Sequence, residues 1–164
     1  MADDFALLRL KQADEPGLGE FRHFVLFQSQ CNVPHTPAFE RGEALLRQLH
    51  GQYGPAILNQ IDDLAPELKR WVVEFAFGQV YSRPGLDLRS RQIATLAALV
   101  AQHHDGAELK SHIRAGLAAG LTRGEIIEIM MQMAVYAGFP AAMSGLHAAR
   151  DAFAELDAGQ TTPS

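Results

Sequence analysis

From residue 36 onward the apolar positions of the chain recur with a helical period. In TPAFERGEALLRQLHG, Thr36 stands as an N-cap and Pro37 as the first helical residue, Ala38, Leu45, Leu46 and Leu49 form the inner stripe, and Gly51 follows the end. YGPAILNQIDDL predicts a short helical turn. APELKRWVVEFAFGQVYSRPG predicts a helix that opens near Pro66, carries Leu68, Val72, Phe75 and Gln79 on one face, and stops before Pro84-Gly85. The pattern is clearest in the C-terminal half. Ile93, Leu96, Ala97 and Val100 repeat behind an Asp87 N-cap, and Leu109, Ile113, Gly116 and Leu117 form the stripe of the next helix, with Gly120 as its C′ residue. Thr122 and Glu125 make a capping box for a helix through Ile126, Ile129, Met130, Met133 and Ala137. Gly138 to Pro140 breaks it, and a last helix from about Pro140 aligns Leu146, Ala149, Phe153 and Leu156. No strand pattern is visible, so the expected class is all-α.

Residues 1–35 have no clear period, although they hold the apolar cluster FRHFVLF, Phe21 to Phe27, and a turn at CNVPH. The expected organisation is an N-terminal arm over residues 1–35, a helical domain over 36–157 and a polar tail over 158–164. A chain of 164 residues is enough for one domain that buries roughly 70% of its unfolded surface. The single cysteine, Cys31, excludes an intramolecular disulfide and an all-cysteine metal site, and a cytoplasmic address is expected. The N-terminus has no apolar run of a secretory signal, and no stretch reaches the ~20 apolar residues of a membrane span. With a net charge of −5 and scattered Lys and Arg, neither nucleic acid nor an anionic membrane is an expected partner. Small molecules and other protein chains remain.

AELKSHIRAGLAAG places Glu108 and His112 one helical turn apart beside the apolar stripe. Two readings are open. Asp105 and Glu108 form a D-x-x-E pattern, in which Glu108 is the N3 residue of a capping box and the pair is surface decoration worth about 0.2–0.5 kcal/mol. Alternatively Glu108 holds one nitrogen of His112 and leaves the other for chemistry. His103, His104, Asp105 and Glu108 carry metal-ligating groups, but their spacing matches no established ligand pattern, and no metal is expected. Met130, Met131 and Met133 read as core or subunit contact. Phosphate-loop, dinucleotide and nucleophile-elbow motifs are absent from the sequence.

The turn Arg83-Pro84-Gly85-Leu86, the Glu108…His112…Gly120 spacing, the helix start Thr122…Glu125-Ile126…Glu128 and Tyr136-Ala137-Gly138-Phe139-Pro140 together resemble the carboxymuconolactone decarboxylase family. The resemblance covers about residues 39 to 153 and implies an AhpD-type all-α domain of about six to eight helices, assembled as a homo-oligomer with a hexamer favoured. In the thiol branch of that superfamily, two cysteines would fall at Asp105 and Glu108. Neither is a thiol, so a hydroperoxidase relay lacks its attacking and resolving groups. Hydroperoxidase activity, or a helical oligomer that binds a small acid without turnover, stands as the alternative. The family's usual Trp-Gly before the Arg-Pro-Gly turn is Phe77-Gly78 here, which leaves a related acid open as substrate.

The reaction the resemblance implies removes CO2 from the γ-carbon of an unsaturated lactone, 4-carboxymuconolactone, to give 3-oxoadipate enol-lactone in aromatic-acid breakdown. The conjugated lactone carbonyl accepts the electron pair, so no cofactor is expected. In this reading His112 delivers the proton to carbon and Glu108 orients it. Arg83 and Arg91 bind the substrate carboxylates, and Tyr136 donates to the enolate oxygen unless it is simply packed in the core.

Overall fold

The computed structural model of the chain describes residues 35–104 and 106–160, all of it helix and connecting turns. Phe21 to Phe27, Cys31, Asp105 and the end of the tail lie outside the described residues. The elements are α1 (Pro37–His50), α2 (Tyr53–Asn59), α3 (Pro66–Trp71) running into a π-helix (Val72–Tyr81), α4 (Leu88–Ala101), α5 (Ala107–Ala118), α6 (Arg123–Tyr136) and α7 (Phe139–Gln160).

The helix ends follow local chemistry. Thr36 Oγ1 accepts from the Phe39 N–H at 3.1 Å, Asp87 Oδ1 from Ser90 at 2.8 Å, and Thr122 and Glu125 close a complete capping box. At the end of α5 the Leu121 N–H reaches Gly116 O and the Gly120 N–H reaches Leu117 O, the paired bonds of a Schellman turn with Gly120 at φ +95°. The final helix continues to Gln160, three residues beyond the limit expected from the apolar pattern.

One element departs from the predicted helix. From Val72 to Tyr81 the backbone widens to a π-helix, and the buried side is Val73, Phe77 and Gly78 rather than the Leu68, Phe75, Gln79 face. Leu68 and Phe75 are instead exposed. The cause is a backbone contact with α1. A Cβ on Gly78 would lie 1.9 Å from Ala38 O, and one on Gly42 would lie 1.9 Å from Val73 O. Two glycines thus let the helices touch at their backbones, which dictates which side of the segment faces inward.

Two apolar clusters result, and α5 contributes to both. Leu109 and Ile113 join Leu96, Val100, Ile126 and Met130 in the larger one, while Ala115 joins Leu46, Leu49, Val73 and Phe77 in the smaller. Met130 and Met133 are core, as expected of two of the three methionines, and Met131 is exposed. Being clamped on two sides fixes the rotation of α5 and aims Ser111 and His112 toward α1.

Candidate functional site

A cavity of about 420 Å³ opens between α1, α2, the π-helix and α5. Its wall is apolar on the side of Leu46, Ile57, Leu58, Val72 and Phe77. The polar groups come from His50 at the end of α1 and from Glu108, Ser111 and His112 on one face of α5.

His112 is half-buried, with Nδ1 3.3 Å from Oε1 of Gln92 on α4. Gln92 is completely buried, so the carbonyl that holds the ring is itself fixed by packing. With Nδ1 committed there, Nε2 is the nitrogen available for proton transfer. Burial pulls the His112 imidazole below its usual 6.5, and the negative charge of Glu108 opposes that shift.

Glu108 stands at the rim of this cavity rather than in a capping box. The N-cap position of α5 is Gly106, which makes Glu108 the second helical residue and puts it out of the N3 register that the box requires. Its Oε2 lies 3.4 Å from His104 Nδ1, whereas the His112 Nδ1–H donates to Gln92 Oε1. Glu108 therefore acts on His112 through charge, and Gln92 fixes its orientation.

The structure does not bring the other three expected residues to this cavity. Arg83 lies in a second cavity of about 510 Å³, with Arg41, Gln48 and Tyr81. The Arg91 guanidinium staples the Arg-Pro-Gly-Leu turn, its Nε donating to Leu86 O at 3.1 Å and its Nη2 to Arg83 O at 3.0 Å, and it sits over the Tyr81 ring at 5.8 Å. Tyr136 ends α6 and is 75% exposed, so it is neither in the core nor in the cavity wall.

Sequence reasoning missed Gln92 and His50. Each is a polar residue in the apolar phase of its helix, Gln92 four before Leu96 and His50 four after Leu46, and each is buried. Such a break in phase was the available signal. Burial, with the neighbouring His112 adding to it, lowers the His50 pKa to about 4. Between about 4 and 6.5 the unfolded chain therefore binds the proton that the folded one refuses. The stability contributed by neutral His50 is full above pH 6.5 and is lost as pH falls toward 4, by about 3 kcal/mol. Urea unfolding at pH 7 and pH 4.5 checks this: wild type should lose more stability than His50→Gln over that interval, and equal losses would contradict it.

The chain matches the carboxymuconolactone decarboxylase family over residues 66–151. A 4-carboxymuconolactone decarboxylase of Acinetobacter baylyi is 34% identical over 99 residues, covering 60% of this chain and 73% of that protein. An uncharacterised 15.0 kDa protein of Paracoccus denitrificans is 33% identical over 113 residues, covering 64% and 82%. A nitrosuccinic acid decarboxylase of Metarhizium robertsii is 29% identical over 113 residues, covering 68% and 78%.

Proposed function

Because the chain belongs to the carboxymuconolactone decarboxylase family, we propose that it is a carboxy-lyase that removes CO2 from a small carboxylated acid, with 4-carboxymuconolactone the first candidate. The observation that carries this reading is the division of the cavity wall, with carbon on one side and His112 with its polar neighbours on the other.

That division suits the reaction. The bond from the γ-carbon to the carboxylate breaks, its electron pair forms a new double bond within the ring, and the existing double bond shifts to place an enolate on the lactone carbonyl oxygen. Protonation at the α-carbon then gives the enol-lactone. The scissile carboxylate loses its charge as CO2 leaves, so a dry wall of Leu46, Ile57, Leu58, Val72 and Phe77 disfavours the reactant more than the transition state. His112 supplies the proton. Nitrosuccinic acid, the substrate that names one relative, also has an oxygen-based electron sink next to a carboxylate. The same wall fits either chemistry.

No Lys or Arg lies in the wall among the described residues. In this reading Arg83 and Arg91 shape the neighbouring turn rather than hold the reacting carboxylate. The exposed apolar side chains Val135, Tyr136, Phe139 and Met143 on α6 and α7 support a homo-oligomer, and the hexamer is the assembly that the family resemblance implies. A sedimentation profile showing only a 17.9 kDa species at micromolar concentration would argue against assembly.

The function is tested by incubating the purified protein with 4-carboxymuconolactone and, separately, nitrosuccinate, following ultraviolet absorbance and CO2. Release of one CO2 per molecule consumed supports a carboxy-lyase and identifies the preferred acid. Absence of CO2 from both, with dithiol-dependent consumption of a hydroperoxide, would instead favour the hydroperoxidase reading.

A further inference from the structure

The cavity contains a second imidazole that lies outside the family match over residues 66–151. His50 is the last residue of α1 and is only 7% exposed. Its Nδ1 lies 2.9 Å from Ser111 Oγ, while its Nε2 is buried without a hydrogen-bond partner. Phe77 and His112 meet the ring edge-to-face, with centroids at 5.7 and 5.0 Å. One nitrogen is thus tethered, the plane is held by rings, and the other nitrogen is left over.

Ser111 decides which nitrogen carries the hydrogen. Its hydroxyl is buried, and among the described residues its hydrogen bond is the one to His50. If Nδ1 were the donor, the hydroxyl hydrogen of Ser111 would be buried with no acceptor. If Ser111 donates instead, its hydrogen is used and the His50 hydrogen must sit on Nε2. A buried N–H without an acceptor is costly in a folded protein, and because His50 is among the residues that line the cavity, a ligand bound there is the nearest source of the missing acceptor.

We propose that His50 is a catalytic residue whose Nε2–H donates to the substrate oxygen on which the electron pair collects as CO2 leaves. This rests on the carboxy-lyase reading above. The two imidazoles then have separate tasks: His50 steadies the oxygen of the enolate and His112 protonates its carbon. The depressed pKa of His50, about 4, keeps its ring neutral at pH 7, so it does not compete with His112 as the acid. Ser111 is a positioning residue that fixes the tautomer.

The test pairs kinetics with spectroscopy. His50→Leu combined with Ser111→Ala removes both polar partners at once, so neither is left buried alone, and the protein is expected to melt no lower than wild type. Its kcat should fall by ~10²-fold with a smaller change in KM, as for loss of one oxyanion donor. His50→Gln keeps an N–H near the same place and should recover about tenfold of that loss. A kcat within about threefold of wild type in the double variant would overturn the proposal. Independently of turnover, the His50 Nε2–H resonance in ¹⁵N-histidine protein should shift when the saturated lactone acid 5-oxotetrahydrofuran-2-carboxylate is added, and an unmoved resonance at saturating probe would overturn it too. A shifted resonance in a protein that releases no CO2 would sustain the His50 contact while removing the carboxy-lyase reading.

Discussion

Gly78→Ala is expected to lower the free energy of unfolding by about 3 kcal/mol or more, among the largest effects of any single methyl in this chain. The added carbon would lie 1.9 Å from Ala38 O, and the obstacle is backbone, which no rotamer change can move aside. Gly42→Ala meets Val73 O at the same 1.9 Å from the opposite side. To admit either methyl, α1 and the π-helix must separate, which loosens Leu46 and Leu49 from Val73 and Phe77 and draws His50 away from Ser111. Gly124→Ala is the control, because its nearest neighbour would be Thr122 Oγ1 at 3.9 Å and the position is exposed and helical. That change should be neutral or stabilise by up to about 1 kcal/mol. Chemical denaturation of the three variants decides the matter, and a wild-type midpoint for Gly78→Ala would contradict the close-packing account.

The second large effect is on turnover. His112→Ala should reduce kcat by ~10²-fold or more, while stability changes by about 1 kcal/mol because the side chain is half-buried and, among the described residues, its hydrogen bond is the one to Gln92. The pH profile gives the sign independently. Burial holds the His112 pKa below 6.5, and a proton donor must be charged, so kcat/KM should fall with rising pH along a limb centred below 6.5. Glu108→Gln removes the carboxylate that opposes this shift and should move the limb further toward acid. A limb that instead rises with pH would make His112 a base.

What the sequence made legible was chemistry that acts over three or four residues. Thr36, Asp87, Thr122 and Gly120 could be assigned to helix ends because a cap needs only its own first or last turn. The buried side of the π-helix could not be assigned this way, since it answers to a contact between Gly42 and Gly78 on different elements. The site divides similarly. Glu108 and His112 share one helix face, so their proximity was readable, but the partner that orients His112 arrives from α4 and the second imidazole from α1. The general affinity of guanidinium for carboxylate makes Arg91 a candidate from sequence, yet in the folded chain its donors go to two turn carbonyls that no residue pattern reveals. For Tyr136 the sequence offers a donor or a core ring, and its exposure shows that an aromatic beside a helix break can instead face outward.

In the proposed reaction His112 delivers a proton to the carbon skeleton as CO2 departs from this cavity. That step is tested most directly by turnover of 4-carboxymuconolactone in deuterium oxide, with the product read by NMR before it exchanges. Wild type should place one deuteron at the α-carbon in a single configuration, and His112→Ala should form this product ~10²-fold more slowly, with the configuration mixed. Wild-type rate and the same single configuration in His112→Ala would contradict it.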